Sequence, residues 1–275
     1  MTGDDHVLAR DLAGQAGTRL LELRAQGGDP DVLRKTGDRL SHEFLTAALA
    51  DVRPGDVVLS EEGADNPARL TARRVWIVDP LDGTREFGEA GRTDWAVHVA
   101  LWESDALLAP GGTTLPALPP AAAGPSPPGN LVAGAVALPA QDRVLSTAEP
   151  PPLLAAGEAP AKIRIVVSRS RPPQFVRNIS GLIDAELVPL GSAGAKVAAV
   201  INGEVDAYVH GGGFYEWDTA APVAVARAAG LHASRIDGSA LAYNQSDLLM
   251  PDILVCRPAL AGTLLRAIRE VTHAP

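Results

Sequence analysis

Two aspartates three residues apart close an apolar run in Trp76-Ile77-Val78-Asp79-Pro80-Leu81-Asp82-Gly83-Thr84-Arg85-Glu86-Phe87. Pro80 fixes the backbone after Asp79, and Gly83 permits a tight turn, so the two carboxylates could converge on one point. Converging carboxylates repel each other unless a cation lies between them. An all-oxygen cluster suits Mg2+, Mn2+ or Ca2+ and does not suit zinc. The amides of Gly83 and Thr84 follow at an expected helix start, where a phosphate is well received. The plainer alternative is a turn whose Asp and Gly serve conformation alone.

Two further acidic segments weaken that alternative. Glu61-Glu62 end the apolar run VVLSEE, and Trp217-Asp218 open a helix that carries Pro222 in its first turns. Taken singly, an Asp at a helix start is most often an N-cap. Together, acids at three strand or helix ends form the pattern of a multi-metal phosphate site.

These residues carry a resemblance. The chain resembles the inositol monophosphatase superfamily of Mg2+-dependent, lithium-sensitive phosphatases. Residues 76–84 match its W-I-x-D-P-[IL]-D-G-T signature, and Trp217-Asp218-Thr219-Ala220-Ala221 match W-D-x-A-[AG]. Glu61 stands where the family has its first metal-binding Glu, and Asp38 where it has an Asp closing a T-x-x-D helix entry. Asp82-Gly83-Thr84-Arg85-Glu86-Phe87 looks like the CysQ branch, the 3′(2′),5′-bisphosphate nucleotidases. That branch removes the 3′-phosphate of 3′-phosphoadenosine 5′-phosphate (PAP) or its sulfated precursor (PAPS) in sulfur metabolism. Gly211 stands where inositol phosphatases carry a Glu for an inositol hydroxyl. An inositol monophosphatase or a fructose 1,6-bisphosphatase is the alternative within the superfamily.

The resemblance implies a layered α/β (α+β) fold, an αβαβα sandwich. It implies that Glu61, Asp79, Asp82, Asp218 and the carbonyl of Leu81 hold two or three Mg2+ ions. Thr84, paired with Asp38, would then take a proton from the attacking water while Glu61 orients it. Gly83 and Thr84 would hold the scissile phosphate. Ser192 belongs to a pocket-lining loop, GSAG. For the second phosphate the candidate cations are Arg85, Lys196 and Arg169 or Arg171, each weighed against simple solvation or a helix start. His210 is a candidate nucleotide contact. The other histidines, His42 and His98 among them, lack metal-ligand spacing and are set aside as structural. Around Asp38 the chain reads R-K-T-G-D where the family often has V-T-x-A-D, which suggests a shortened mobile loop over the site.

Rival chemistries fit less well. Aspartyl-nucleophile phosphatases carry D-x-D-x-[TV], whereas Asp79 and Asp82 are three apart. A binding protein without catalysis would not need the full set of acids and Thr84.

The elements that must position these residues follow from periodicity. Helical spacing runs from Val7 to Leu23 and again from Thr36 to Val52. Strand-like runs follow at Asp56–Leu59, Val75–Val78 and Trp95–Trp102, the last alternating cleanly. The Pro/Gly/Ala tract 109–129 looks like an insertion in a hairpin, since strand character resumes at Leu131–Leu138. A second proline-rich tract, 149–161, marks a boundary between an N-terminal α+β half (1–155) with most metal ligands and a C-terminal α/β half (156–275) completing the site. Beyond it, strands at 162–168, 185–190, 205–210 and 252–256 alternate with helices at 175–183, 195–201, 218–229 and 260–271.

The chain has 275 residues, is 46% hydrophobic and carries a formal charge of −9, enough to build a large core on an acidic surface. Acidity argues against a duplex nucleic-acid partner, which needs basic stripes, but not against a small anionic substrate. One cysteine, Cys256, excludes an internal disulfide, and the N-terminus carries acids where a signal peptide has bases. A cytoplasmic protein with no membrane partner is expected. The family is commonly dimeric, so a homodimer is one expectation, though no interface is legible in the chain.

Overall fold

The computed structural model describes residues 4–105, 129–153 and 162–272. Two long helices open the chain: α1 (Asp5–Ala25) and α2 (Pro30–Val52). Five strands then form the first sheet: β1 (Val57–Ser60), β2 (Arg74–Asp82), β3 (Ala96–Ser104), β4 (Gly129–Leu138) and β5 (Arg143–Ser146), in that spatial order. The short helix α3 (Thr84–Gly88) leaves the end of β2. Beyond lie β6 (Arg164–Ser168), α4 (Gln174–Leu182), β7 (Glu186–Leu190), α5 (Ala193–Ile201), β8 (Ala207–His210), β9 (Phe214–Tyr215) and α6 (Glu216–Ala228). The chain ends with β10 (His232–Ser234), β11 (Leu249–Met250), β12 (Ile253–Cys256) and α7 (Pro258–Thr272). The second sheet has the order β10-β12-β8-β6-β7, and β9 pairs with β11.

Side-chain alternation sorts these elements into layers. On β2, Trp76 and Val78 join Leu12, Leu20, Leu45 and Leu49 of α1 and α2. Val75 and Ile77 point the other way, into a core shared with α5, α6 and the second sheet. On β12, Ile253 and Val255 face that same shared core, while Leu254 and Cys256 face α4 and α7. A period of two therefore gives each sheet two apolar faces, and each face is covered by a helix pair. The result is helix, sheet, helix, sheet, helix: the αβαβα sandwich. Close packing of the central layer uses small residues; a Cβ on Gly134 of β4 would lie 2.7 Å from the Ala224 Cβ of α6.

Two features differ from expectation. Helix α2 begins at Pro30, because Asp29 caps the amides of Asp31 and Val32 and Pro30 suits the first helical position. Asp38 therefore lies inside a helix, which corrects the idea of a shortened mobile loop there. Strands β5, β9, β10 and β11 are too short to show a period and escape sequence reading. Strands β3 and β4 pair directly, Ser104 opposite Gly129, on the two sides of the proline-rich tract. Most of that tract, 109–128, and residues 154–161 of the second lie outside the described residues. Among the described residues no helix is long and apolar enough to cross a membrane. Cys256 is buried, and burial pushes its thiol up to about 12, so it packs as a small apolar group.

Ile268 on α7 is buried in the outermost core, away from the acidic residues. Ile268→Ala is expected to lower unfolding free energy by about 2–5 kcal/mol. Urea denaturation followed by circular dichroism checks this.

Candidate active site

Two residues three apart on a regular strand point to opposite faces. Asp79 and Asp82 escape this because the β2–β3 register shifts between them. Asp79 pairs with His98 and Asp82 with Ala96, so three steps on β2 match two on β3. The extra residue is a bulge around Pro80, which has no N–H to lose from the ladder. It turns both carboxylates toward the face covered by α6. There Asp79, Asp82 and Asp218 each offer an oxygen, and these atoms lie within 4.8 Å of one another. Asp218 arrives from the first turn of α6, where its other task is to accept the Tyr215 amide at 2.6 Å. Glu61 arrives because β1 runs parallel to β2: its amide bonds the Val78 carbonyl at 3.4 Å, which brings its carboxyl into the field of Asp218, Asp79 and Asp82.

The electrostatics are those of crowded acids. Burial, then Asp218, pushes Glu61 up to about 7. Burial, then Asp82, pushes Asp218 up to about 6. Burial and the charges of Glu61 and Asp82 raise Asp79. Asp82 is the exception. Burial would raise it, but His98, Lys196 and the Gly194 amide outweigh burial and hold it low. Three converging aspartates, with Glu61 in their field and only oxygen donors present, fit hard divalent cations, the group expected from sequence.

Thr84 starts α3. Its Oγ1 lies 3.1 Å from the Leu81 carbonyl and 3.3 Å from Asp38 Oδ1. Gly37 makes that reach available: a Cβ there would meet Phe87 Cε1 at 2.8 Å, so only glycine lets α2 press this close to α3. Burial, then the charge of Glu62, pushes Asp38 up to about 7, against the opposing bond from Thr84. Gly83 has φ +82° and no side chain to cap the first-turn amides of α3.

His98, set aside in the sequence as structural, makes a specific structural tie at the site. Its position opposite Asp79 on β3 was not legible from spacing along the chain. The ring is fully buried, with Nε2 3.1 Å from Asp82 Oδ2 and Nδ1 3.1 Å from the Trp217 carbonyl. Both neighbours are acceptors, which favours a ring protonated on both nitrogens. Burial alone would lower its pKa, but Asp82 wins and raises it. His98 thus ties the turn after β2 to the start of α6. His42, by contrast, hydrogen-bonds through its ring to Ser60 Oγ, at 2.9 Å, beside Glu61.

The candidate substrate groups divide into two sets. Ser192 caps α5 through the Ala195 amide at 2.9 Å, and a Cβ on Gly83 would lie 2.8 Å from its own Cβ, so the GSAG loop lies against the turn. Next to it, the Ala193 and Gly194 amides donate to Asp82 at 3.2 and 2.6 Å. Carboxylate oxygens have spare lone pairs, so Asp82 can take these bonds and still offer a ligand atom. Lys196 is buried beneath the loop: Nζ donates to the Gly191 carbonyl and lies 5.4 Å from the Tyr208 ring centre. Burial lowers its pKa, opposed by Asp82, Glu86, Asp218 and Asp94. It compensates the acids from below. Arg169 is held by Glu86 and Glu89, at 2.9 Å each. Arg85 is 63% exposed and lies 3.5 Å from Glu89. Arg171 is exposed, its amide on Ser168 Oγ at 3.3 Å. His210 packs edge-on to Phe214, and burial, then Lys196, pushes it down to about 4. Sequence reasoning also missed Glu216, which accepts the Asn244 and Gln245 amides at 2.6 and 2.7 Å and anchors the start of α6.

A profile of the inositol monophosphatase family matches residues 9–273. The chain belongs to that family. It is 49% identical to a 3′-phosphoadenosine 5′-phosphate phosphatase of Mycobacterium leprae, over 97% of this chain and 94% of that protein. It is 29% identical to the 3′(2′),5′-bisphosphate nucleotidase CysQ of Escherichia coli K12, over 84% of this chain and 91% of that one. Among solved structures, inositol monophosphatase II of Staphylococcus aureus superimposes with a TM-score of 0.74 at 20% identity, covering 96% of this chain and 95% of the other. That likeness extends the family assignment to the fold.

The raised acids set a pH dependence. A carboxyl whose folded pKa lies above its unfolded value contributes stability at low pH that is lost as pH rises through the folded pKa. Asp38, Glu61 and Asp218 have folded values of about 7, 7 and 6. His98, also raised, works in the same direction, while buried Lys196 faces the cluster as a compensating cation. The ion-free protein should therefore lose stability between pH 5 and pH 8. Added Mg2+ should raise the melting temperature more at pH 8 than at pH 5.5. Scanning calorimetry with EDTA or Mg2+ at both values checks this.

Proposed function

We propose that this chain is a phosphatase that hydrolyses the 3′-phosphate of PAP, giving AMP and inorganic phosphate. The observation that carries the chemistry is the meeting of Asp79, Asp82 and Asp218, with Glu61 in their field, and the Thr84–Asp38 pair around one turn. The 49% identity to a protein named for PAP supports the substrate.

In this reading Glu61, Asp79, Asp82, Asp218 and the Leu81 carbonyl hold two or three Mg2+ ions. When bound, the ions acidify water and offset charge on the phosphate and the leaving oxygen. The chain's own residues do the rest. Gly83 and Thr84 present amides at the start of α3 to the scissile phosphate. Glu61 orients the attacking water. Thr84 Oγ1 accepts a proton from that water and passes its own to Asp38, whose pKa near 7 suits a carboxylate that must take a proton at neutral pH. The water oxygen forms a bond to phosphorus as the bond to the 3′-oxygen breaks, without a covalent enzyme intermediate. Ser192 lines the same pocket, and His210 stands near it as a neutral group. Residues 1–155 supply most of the ligands and 156–275 close the site through Asp218. The single buried cysteine suits a reducing cytoplasm.

Phosphate release should be fastest with PAP, compared by kcat/KM with inositol 1-phosphate and fructose 1,6-bisphosphate. It should require Mg2+ and fall with Li+. Asp82→Asn should lower kcat/KM by about a hundredfold or more, since even a residue that only supports a ligand costs 10–100-fold. Thr84→Ala should lower kcat by about a hundredfold or more, the scale of lost proton transfer. Full activity in Asp82→Asn, or inositol 1-phosphate as the best substrate, would contradict the reading.

A further inference from the structure

Asp79 and Asp82 are held by the ladder between β2 and β3. The other two acids lie outside that ladder. Glu61 stands just past the end of β1, on a long backbone bond to Val78 at 3.4 Å. Asp218 lies in the first turn of α6, in a different layer. Of the charges around Glu61, that of Asp218 acts on it most strongly. Their repulsion pushes the end of β1 away from the start of α6, so the two segments need a tie outside the acidic cluster.

A buried arginine supplies it. Arg69 follows Glu61 by eight residues, in a short 3-10 helix (Pro67–Thr71), and is 1% exposed. On one side, Nε and Nη2 donate to the two oxygens of Asp65, four residues beyond Glu61, at 2.6 and 3.1 Å. On the other, Nη1 donates to the side-chain oxygen of Asn244 at 3.0 Å and to the Gln245 carbonyl at 2.8 Å. Asn244 is fully buried and returns the contact, its Nδ2 donating to the Arg69 carbonyl at 2.9 Å. The amides of Asn244 and Gln245 then reach the two oxygens of buried Glu216, which precedes Asp218 by two residues. The path Asp65–Arg69–Asn244–Glu216 thus joins the segment that carries Glu61 to the turn that carries Asp218. Tyr243 runs beside it, its hydroxyl donating to Thr219 Oγ1 of α6 at 3.2 Å.

The chemistry of this path is that of a positioning device. Apolar side chains would hold two segments together as strongly, because a buried ion pair gains little over a well-packed hydrophobic group. A planar guanidinium adds direction: its bonds at fixed angles select one separation of the groups it joins. Asn244 adds a second constraint. Its φ of +59° is a left-handed conformation, and successive amides around such a residue form a concavity for an anion, here the Glu216 carboxylate.

We propose that Arg69 and Asn244 are positioning residues for the metal centre, setting the separation of Glu61 and Asp218 and through it the affinity for a divalent cation. The inference rests on the phosphatase reading above. Neither residue touches substrate or cation in this scheme. Each acts through the acid at its end of the path.

The test is Mg2+ binding by isothermal titration calorimetry on the full chain without substrate, alongside the melting temperature in EDTA. Asn244→Gly is the informative variant, since glycine accepts φ +59° without strain and only the side-chain bonds are lost. It should weaken Mg2+ binding by about tenfold, the lower end of the effect of removing a ligand's support. The Mg2+ concentration for half-maximal phosphate release from PAP should rise by a similar factor, while kcat at saturating Mg2+ stays within about twofold of wild type. Arg69→Lys keeps the charge but loses the fork, and should weaken Mg2+ binding by about threefold or more. The double variant should add little to the stronger single one, because the two residues act as one unit. Ile268→Ala, remote from the site, controls for stability alone: it should melt lower and bind Mg2+ as wild type does. Asn244→Gly protein that behaves like this control has a role in folding only, which overturns the inference. Should Asn244→Gly not fold, Arg69→Lys decides by the same measurement. Wild-type protein that binds no Mg2+ overturns the phosphatase reading and this inference with it. Wild-type protein that binds Mg2+ and cleaves PAP, beside variants of equal Mg2+ affinity, overturns this inference alone.

Discussion

Repulsion among Glu61, Asp79, Asp82 and Asp218 is the constraint around which the molecule is arranged. Carboxylates crowded out of water raise one another's pKa and cost stability unless something compensates them. The compensation here comes from several directions. His98 and Lys196 bring cationic side chains from two different layers, and the first amides of α5 point at Asp82. Three of the four acids are nevertheless pushed upward. An arrangement left this far from neutrality is poised for a divalent cation, and the chain accepts the cost to keep its ligands together.

The layered fold serves that arrangement. A sheet covered on both faces by helices places strand ends and helix starts along one seam. Asp79 and Asp82 come from β2, Glu61 from the residue after its parallel neighbour β1, and Asp218 from the first turn of α6 in the central layer. The polar side chains at the seam share the face of β2 and β3 that also carries Ile77, Ala100 and Trp102. Burial and chemistry thus use one face of the same strands, with apolar residues at one end and charged residues at the other.

Around this centre the arginines are sorted by how firmly they are held. A solvated cation such as Arg85 contributes to the local field at a cost in freedom each time it meets an anion. A buried carboxylate such as Glu86 removes that cost for its partner.

The acidic residues, their order and the two signature segments were legible in the sequence, because metal chemistry demands particular residue types at element ends and those types survive in a one-dimensional reading. The long helices and the alternating strands were legible for a similar reason: period 3.6 and period 2 are local properties. What the sequence could not decide was set by contacts across the chain. The bulge that turns Asp82 to the side of Asp79 appears only in the pairing of β2 with β3. His98 gains its role from the Trp217 carbonyl, more than a hundred residues away. Lys196 and Arg169 look alike as cations in a string of letters, yet one is buried under a loop and the other is clamped at the rim. The sequence by itself determined which functional groups this protein possesses. Only the tertiary structure decided which of them meet, because an electrostatic interaction depends on distance and burial, and neither is a property of position along the chain.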